Sequence, residues 1–342
     1  MARPRIVQIV PLGPVPYHAL VAAAVTVRAR FDCQPVIVAP ISVPAEARRP
    51  DRRQLDADLL LDLLFDRLTL DTCRIIGLTA EDAYAEGRNF VFGYAHMRDR
   101  VAMVSTARLN GQAHLEKAIV HELGHTFHAP HCPEPRCVMR QVEHLWQLDK
   151  LDSDLCASCA VRVRAVVRRS IDSADALFEL AGSYMRRRRH AKAATAYRAA
   201  GERDPRNPHV ANDLGVALLA LGERAAALDA FQRAIALDPT YPHAYYNLGI
   251  LFRERGDVGA ADGLFAAALE RDVDARSAHR YLGILHQDYF QDPPRARAYL
   301  ERYVALGGTD GEVRRRLHQL SRRGMDELAS SSRRLIESTA PV

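Results

Sequence analysis

An α/β (α+β) domain built on a mixed sheet, followed by an all-α solenoid, is the fold this sequence predicts. Three observations carry that expectation. Strand-like and helix-like apolar patterns alternate up to Ser105, one amphipathic helix then bears a cluster of histidines, and from residue 174 the chain repeats itself with a period of 34. Residues 5–10 (RIVQIV) read as a strand, apolar positions recur at helical spacing from about Tyr17 to Arg30, and Gln34–Ala39 reads as a second strand. The Pro- and Arg-rich stretch 40–53 reads as a loop, Leu55–Leu68 as a periodic helix and Cys73–Leu78 as a buried strand. Asn89–Ala95 and Arg100–Ser105 flank the polar turn His96–Asp99 and are expected as a hairpin beside the sheet. The next helix begins near His114. After Cys159, valines at 161, 163, 166 and 167 alternate with arginines and predict a helical connector. The expected organisation is a domain over 1–165, a connector over 166–173, about four repeats over 174–325 and a tail over 326–342.

Laying residues 174–207, 208–241 and 242–275 over one another aligns Leu214, Gly215, Ala227, Phe231 and Ala234 with Leu248, Gly249, Ala261, Phe265 and Ala268. Pro239 closes the second unit, and Val273 stands at the equivalent place in the third. Leu180, Tyr184, Ala193, Tyr197, Ala200 and Pro205 mark the first unit. A fourth starts at Leu282 and Gly283 and is expected to degenerate around Asp292–Pro294, as a capping unit would. The pattern resembles the tetratricopeptide (TPR) repeat: a small residue lets two helices approach, large residues fill between them, and proline ends the second helix. A protein- or peptide-binding role is expected, with His209, Asn212, His243, Tyr246 and Arg253 as groove candidates; a rigid extension without a partner is the other reading. The basic run Arg186–Arg189 is expected to be a solvated face.

Lys and Arg number 47 against 42 Asp and Glu, and the +5 excess is spread along the chain, so no nucleic-acid partner is expected. Hydrophobic residues at 48% and charged residues at 26% are near globular averages and argue against wholesale disorder. Pro11, Gly13, Pro14, Pro16 and His18 interrupt the apolar N-terminal stretch, so neither a membrane span nor a signal segment is expected there. A cytoplasmic, reducing setting without a membrane partner follows as the expectation. No inhibitory segment is expected before the first strand.

Residues 121–131 read HELGHTFHAPH. Four residues are about one helical turn, so His121 and His125 share a face and can hold one zinc, while Glu122 reaches the water that zinc activates. His131 supplies a third imidazole if the chain leaves the helix and doubles back, and three neutral imidazoles leave one position open, as catalysis requires. If the helix ran on through residue 128, His128 would share that face and compete with His131. Cys132, Cys137, Cys156 and Cys159 suit a closed tetrahedral zinc; two disulfides or a redox pair are the alternatives. Met139 is expected beneath the histidine site.

HExxHxxxxxHC, then CxM, then CxxC resembles the archaemetzincins, zinc peptidases of the metzincin clan with a second, cysteine-bound zinc. Asn89–Gly93 (NFVFG) and Ser105 with Arg108 and Leu109 extend the resemblance, which covers about residues 5–165. It implies a metzincin-like catalytic domain with an active-site helix and two zinc ions per chain. His121, His125 and His131 would hold the catalytic zinc, Glu122 would be the general base, Met139 the Met-turn methionine, and the four cysteines the structural-zinc ligands. The chain departs from the family in carrying His128 where the family has glycine, which requires a non-glycine residue at positive φ, and in a Met139–Cys156 interval one residue shorter.

The function so implied is a zinc-dependent metallopeptidase acting on a peptide or protein substrate, with repeats that engage an unidentified protein partner. Val101–Ser105 is expected to pair with extended substrate, and Tyr94, His96 and His144 are candidate oxyanion donors. The competing expectation is an inactive, zinc-stabilised scaffold whose repeats mediate protein–protein interaction.

Overall fold

The computed structural model describes residues 5–97, 99–168, 173–272 and 274–322. The expected tail over 326–342, connector residues 169–172 and Val273 lie outside the described residues. The chain divides into two compact units, Met1–Arg187 and Arg188–Val342.

The first unit begins with β1 (Ile6–Pro11), α1 (Tyr17–Phe31) and β2 (Gln34–Ile37). Two short strands follow, β3 (Arg48–Arg49) and β4 (Gln54–Asp56), then α2 (Ala57–Arg67) and β5 (Thr72–Thr79). Next come β6 (Ala83–Tyr84), β7 (Gly93–Ala95), β8 (Val101–Ser105), α3 (Gly111–Thr126), α4 (Leu145–Asp149), α5 (Ala157–Arg168) and α6 (Ala174–Arg186). The five-stranded sheet runs β2-β1-β5-β8-β7, with every pairing parallel except β7 on β8. β5 is buried along its whole length, as a central parallel strand covered on both faces must be. Helices α1, α3 and α5 share one core with β1, β5 and β8.

Two expectations change. The segment 40–53, read as a loop, supplies β3, and Leu55 and Asp56, read as the start of the helix, belong to β4; the two strands form a second small sheet in the order β3-β4-β6. Strands of two or three residues carry no periodic signal, and Asp56, at the end of β4, caps α2 by accepting from the amides of Asp58 and Leu59. The hairpin is not beside the sheet but completes it: β8 is held between β5 and β7, so both of its ladders are filled. At this end of the sheet the edge strand among the described residues is β7, not the expected Val101–Ser105.

Helix α6, whose sequence opens the repeats, lies within the first compact unit. Tyr184 packs edge-on against Phe65 with ring centroids 5.1 Å apart, and its hydroxyl donates to the Leu68 carbonyl at 2.8 Å. Arg187, from the run expected to be solvated, pairs with Asp62 and with Asp99 (2.8 Å) and lies over the Phe65 ring. Those carboxylates come from distant segments, which the local run of arginines does not disclose.

The second unit is helical throughout its described elements. Its helices are α7 (His190–Arg203), α8 (Pro208–Ala220), α9 (Arg224–Leu237), α10 (Pro242–Glu254), α11 (Val258–Arg271), α12 (Arg276–Asp288) and α13 (Pro293–Ala305). Residues 311–322 are also helical. A Cβ on Gly215 would lie 2.5 Å from Phe231, and one on Gly249 would lie 2.8 Å from Phe265, so the small residue sets how closely paired helices approach. Residues Asp292–Pro294 start α13 rather than break a repeat: Asp292 caps it by accepting from the Arg295 amide, and Pro293 occupies the first turn, where a missing N–H costs nothing.

Candidate active site and metal centres

The candidate site is built on the last turns of α3. Arg74, buried in β5, donates from Nε to the Thr126 carbonyl at 3.0 Å and lies over the Phe127 ring, placing a cation at the carbonyl-rich end of this helix. The helix stops at Thr126, and His128 adopts φ 65°, the left-handed conformation that the departure from glycine requires. The turn is tied by the Ala129 amide donating to the Gly124 carbonyl at 3.0 Å. The chain thereby doubles back, and His131 rather than His128 joins His121 and His125.

The ligand-capable nitrogens of His121, His125 and His131 lie within 4.8 Å of one another, and the Nε2 atoms of His121 and His125 are 3.1 Å apart. Nitrogens held at ordinary zinc distances in a tetrahedron would be about 3.3 Å apart, so the donor set fits that ion. His121 Nδ1 lies 2.8 Å from the Val138 carbonyl, and His125 Nδ1 lies 2.9 Å from that of Ala129. A carbonyl can only accept, so each Nδ1 is the protonated nitrogen and each Nε2 keeps its lone pair for a metal. Burial lowers the pKa of all three rings, that of His121 to about 3 with the neighbouring His125 adding to the effect, so they are neutral, as ligands must be.

Glu122 is 8% exposed, and burial pushes its carboxyl up to about 8, with the Arg88 guanidinium opposing the shift. Its neighbour across the site is Gly93, at the start of the edge strand: a Cβ there would lie 2.4 Å from Glu122 Cγ. Met139 is fully buried and packs on Gly124, whose absent Cβ would lie 2.4 Å from the sulfur. This methionine is therefore held against the helix turn between the two histidines.

The cysteines gather from a loop and the start of α5. Their sulfurs lie within 4.8 Å of one another, and Cys132 and Cys156 are 3.7 Å apart. Tetrahedral zinc–thiolate geometry calls for edges of about 3.8 Å, whereas a disulfide needs about 2 Å, and all four cysteines are free. The Cys156 amide donates to Cys137 Sγ at 3.4 Å, and a hydrogen bond from Ser158 draws the Cys156 thiol down to about 6. Burial raises Cys137 and Cys159, the charge cost that a bound cation would remove.

Of the candidate oxyanion donors, Tyr94 and His96 both engage Asp58, His96 Nε2 at 3.2 Å from its Oδ1. Among the described contacts His144 faces Trp146, 6.4 Å away, and none joins it to the histidine cluster. The sequence reading missed Gly93, Gly124, Arg74 and Arg88, whose parts in the site depend on contacts between distant segments. The NFVFG segment that ends in Gly93 was the only signal for any of them.

A helix bearing two imidazoles and a buried glutamate, a third imidazole returned by a tight turn and a methionine beneath them define a metallopeptidase of the zinc-dependent class. Comparison with known proteins gives the family. The model of peptidase family M54 matches residues 51–165. The archaemetzincin of Halobacterium salinarum is 32% identical over 168 residues, covering 45% of this chain and 96% of that protein. That of Methanopyrus kandleri is 39% identical over 133 residues, covering 37% of this chain and 75% of its own. The chain belongs to the archaemetzincin family. The crystal structure of the Methanopyrus kandleri archaemetzincin aligns with 31% identity over 48% of this chain and 96% of that one, at a TM-score of 0.44. The tetratricopeptide repeat model matches residues 162–208, 178–242, 212–261 and 246–311. Pseudomonas aeruginosa PilF aligns with 22% identity over 51% of this chain and 79% of that one, at a TM-score of 0.44. This is thus a zinc metallopeptidase with C-terminal TPR repeats. No helix among the described residues is long and apolar enough to cross a membrane.

Proposed function

We propose that His121, His125 and His131 hold the catalytic zinc, that Glu122 is the general base, and that Cys132, Cys137, Cys156 and Cys159 hold a second, structural zinc. The observation that carries this reading is the convergence of three imidazoles, with nitrogens within 4.8 Å of one another, beside the buried carboxylate of Glu122. Held by these imidazoles, zinc would supply the Lewis acidity that polarises a scissile carbonyl and lowers the pKa of water. Glu122 takes the proton of the attacking water and returns it to the departing amine nitrogen, a cycle suited to a carboxyl whose surroundings favour its protonated form. Gly93 leaves room for Glu122, and the edge strand that it begins offers main-chain groups to an extended peptide. The four-thiol cluster has no open position and stabilises the turn that carries His131, next in sequence to Cys132.

The repeats over 174–325 bind a protein or peptide partner in this reading. Asn212 and Asn247 are hydrogen-bonded at 2.9 Å on successive first helices, and His209, Tyr241 and His243 stack in sequence, with centroids 4.7 and 5.3 Å apart. The buried Asn212 uses this bond to tie adjacent repeats together, while the exposed His209 and His243 leave an aromatic face open to a partner.

The test is to incubate zinc-loaded protein with a diverse peptide mixture, identify new termini by mass spectrometry and run Glu122→Gln alongside. Cuts that vanish in the variant are the expected result. Absence of cuts in protein that retains two zinc ions would make the chain a zinc-stabilised scaffold.

A further inference from the structure

A hollow of about 550 Å³ in the first unit is walled by Arg49, Arg52 and Arg88 on a floor that includes Tyr84, with Asp51 and Glu86 also in its lining. Two of its arginines rest on Tyr84, and the third stands on a fixed turn. The buried Tyr84 hydroxyl accepts from Arg49 Nε at 2.8 Å and donates to Asp56 Oδ2 at 2.8 Å, while Arg52 lies 5.2 Å above the Tyr84 ring. Arg88 ends a tight turn in which its amide donates to the Ala85 carbonyl at 3.0 Å and Gly87 supplies φ 72°. The following residues are pinned too: Gln54 Nε2 donates to the Asn89 carbonyl at 2.8 Å, and the Val91 amide donates to the Ala83 carbonyl at 2.8 Å.

Nearby acids are committed elsewhere. Glu81 pairs with Arg48, and Asp82 accepts from Arg108 and Gln54. Among the described residues, none of Arg49, Arg52 and Arg88 has a carboxylate within ion-pair distance, so three guanidiniums face the hollow against two carboxylates. Arg88 also lies on the segment that leads to the histidine site. Its charge acts on His121, Glu122, His131 and Tyr94, and the chain runs from it through residues 89–92 to Gly93, against Glu122, and on into the edge strand. A peptide lying along that edge strand would therefore bring a nearby carboxylate to Arg88. A guanidinium fork matches a carboxylate in shape as well as charge.

We infer that this arginine-walled hollow is a substrate subsite for a carboxylate, either an acidic side chain or the C-terminus of the peptide, and that Arg88 is its specificity-determining residue. The inference deepens the peptidase reading and rests on it for the direction of the bound chain.

The test uses the full-length, zinc-loaded Glu122→Gln protein, which binds peptide without consuming it. Fluorescent Ala/Gly hexapeptides are titrated in two arms. One compares Glu with Gln at each position, and the other compares a free C-terminal carboxylate with the amide. At least one carboxylate peptide should bind about tenfold more tightly than its neutral counterpart, and the arm in which this occurs identifies the source. Adding Arg88→Ala should abolish the preference for carboxylate over neutral peptides at an unchanged melting temperature; Arg88→Lys should restore part of it. Equal binding of charged and neutral peptides, no measurable binding of any peptide, or a preference that survives Arg88→Ala overturns the inference. Parallel cleavage assays on the wild-type chain separate the two claims: a carboxylate preference in binding without any cleavage would refute the peptidase reading and leave the subsite standing.

Discussion

The histidine and cysteine clusters are adjacent in sequence, His131 directly preceding Cys132, yet they are built in opposite ways. Two of the imidazoles stand on one turn of a packed helix, each pinned through Nδ1 to a backbone carbonyl, with a buried carboxylate and the field of an arginine beside them. The four thiols are drawn from a loop and a helix start, and their sulfurs lie within 4.8 Å of one another. Three neutral donors leave a cation's charge and one coordination position available for chemistry, whereas four anionic donors saturate both. The contrast teaches that scaffold follows duty. A site that must act is placed on an element that is rigid without metal, and a site that need only hold can take its order from the metal.

Breaking the cysteine cluster should have the largest effect on folding. If the thiols hold zinc as proposed, Cys137→Ser is expected to cost one zinc per chain and to lower unfolding free energy by at least about 3 kcal/mol, because binding energy at such a site is folding energy. Denaturant melts with metal analysis check this, and His131→Ala should lose its zinc with a much smaller change in the melt. Glu122→Gln should reverse that pattern: cleavage should fall on the order of a thousandfold while both metals remain, as measured by steady-state kinetics.

Gly93→Ala probes the histidine side more gently. Its Cβ would lie 2.4 Å from Glu122 Cγ, so Glu122 must move, and kcat/KM should drop roughly 10- to 100-fold with the zinc content intact. A pH measurement sharpens the same point in metal-free protein. Glu122 has its carboxyl raised from 4.5 to about 8 in the folded chain, so the folded state binds the proton more tightly than the unfolded one. Stability from this group is present below about 4.5 and is lost as pH rises towards 8. Metal-free Glu122→Gln should therefore melt higher than metal-free wild type near pH 8, with the difference disappearing near pH 4. The smallest effect is expected at His128, where glycine relieves a positive φ but adds freedom to the unfolded chain; His128→Gly should stabilise by about 0.5 kcal/mol with activity unchanged.

Much of the candidate site was legible before any fold was known. The spacing of His121 and His125 requires only that residues 121–125 be helical, and helix α3 spans them. The cysteine spacing announced a four-thiol cluster, and the 34-residue period announced the repeats down to the glycines beneath Phe231 and Phe265. The errors have a common origin. The strands β3 and β4 are too short for periodicity, Asp292–Pro294 looks like a break when read along the chain and is a capped helix start, and Arg187 looks solvated until Asp62 and Asp99 are brought to it.

The sequence alone therefore determined which atoms were available for metal and chemistry, because ligand type and i, i+4 spacing act within a single element and need no knowledge of distant neighbours. Tertiary structure decided everything that depends on strand order and chain return. It put β8 in the interior and β7 at the edge, seated Gly93 against Glu122, turned His128 out in favour of His131, and brought Arg88 within electrostatic reach of Glu122. Those juxtapositions join residues far apart in the chain through a shared core, so no local pattern encodes them.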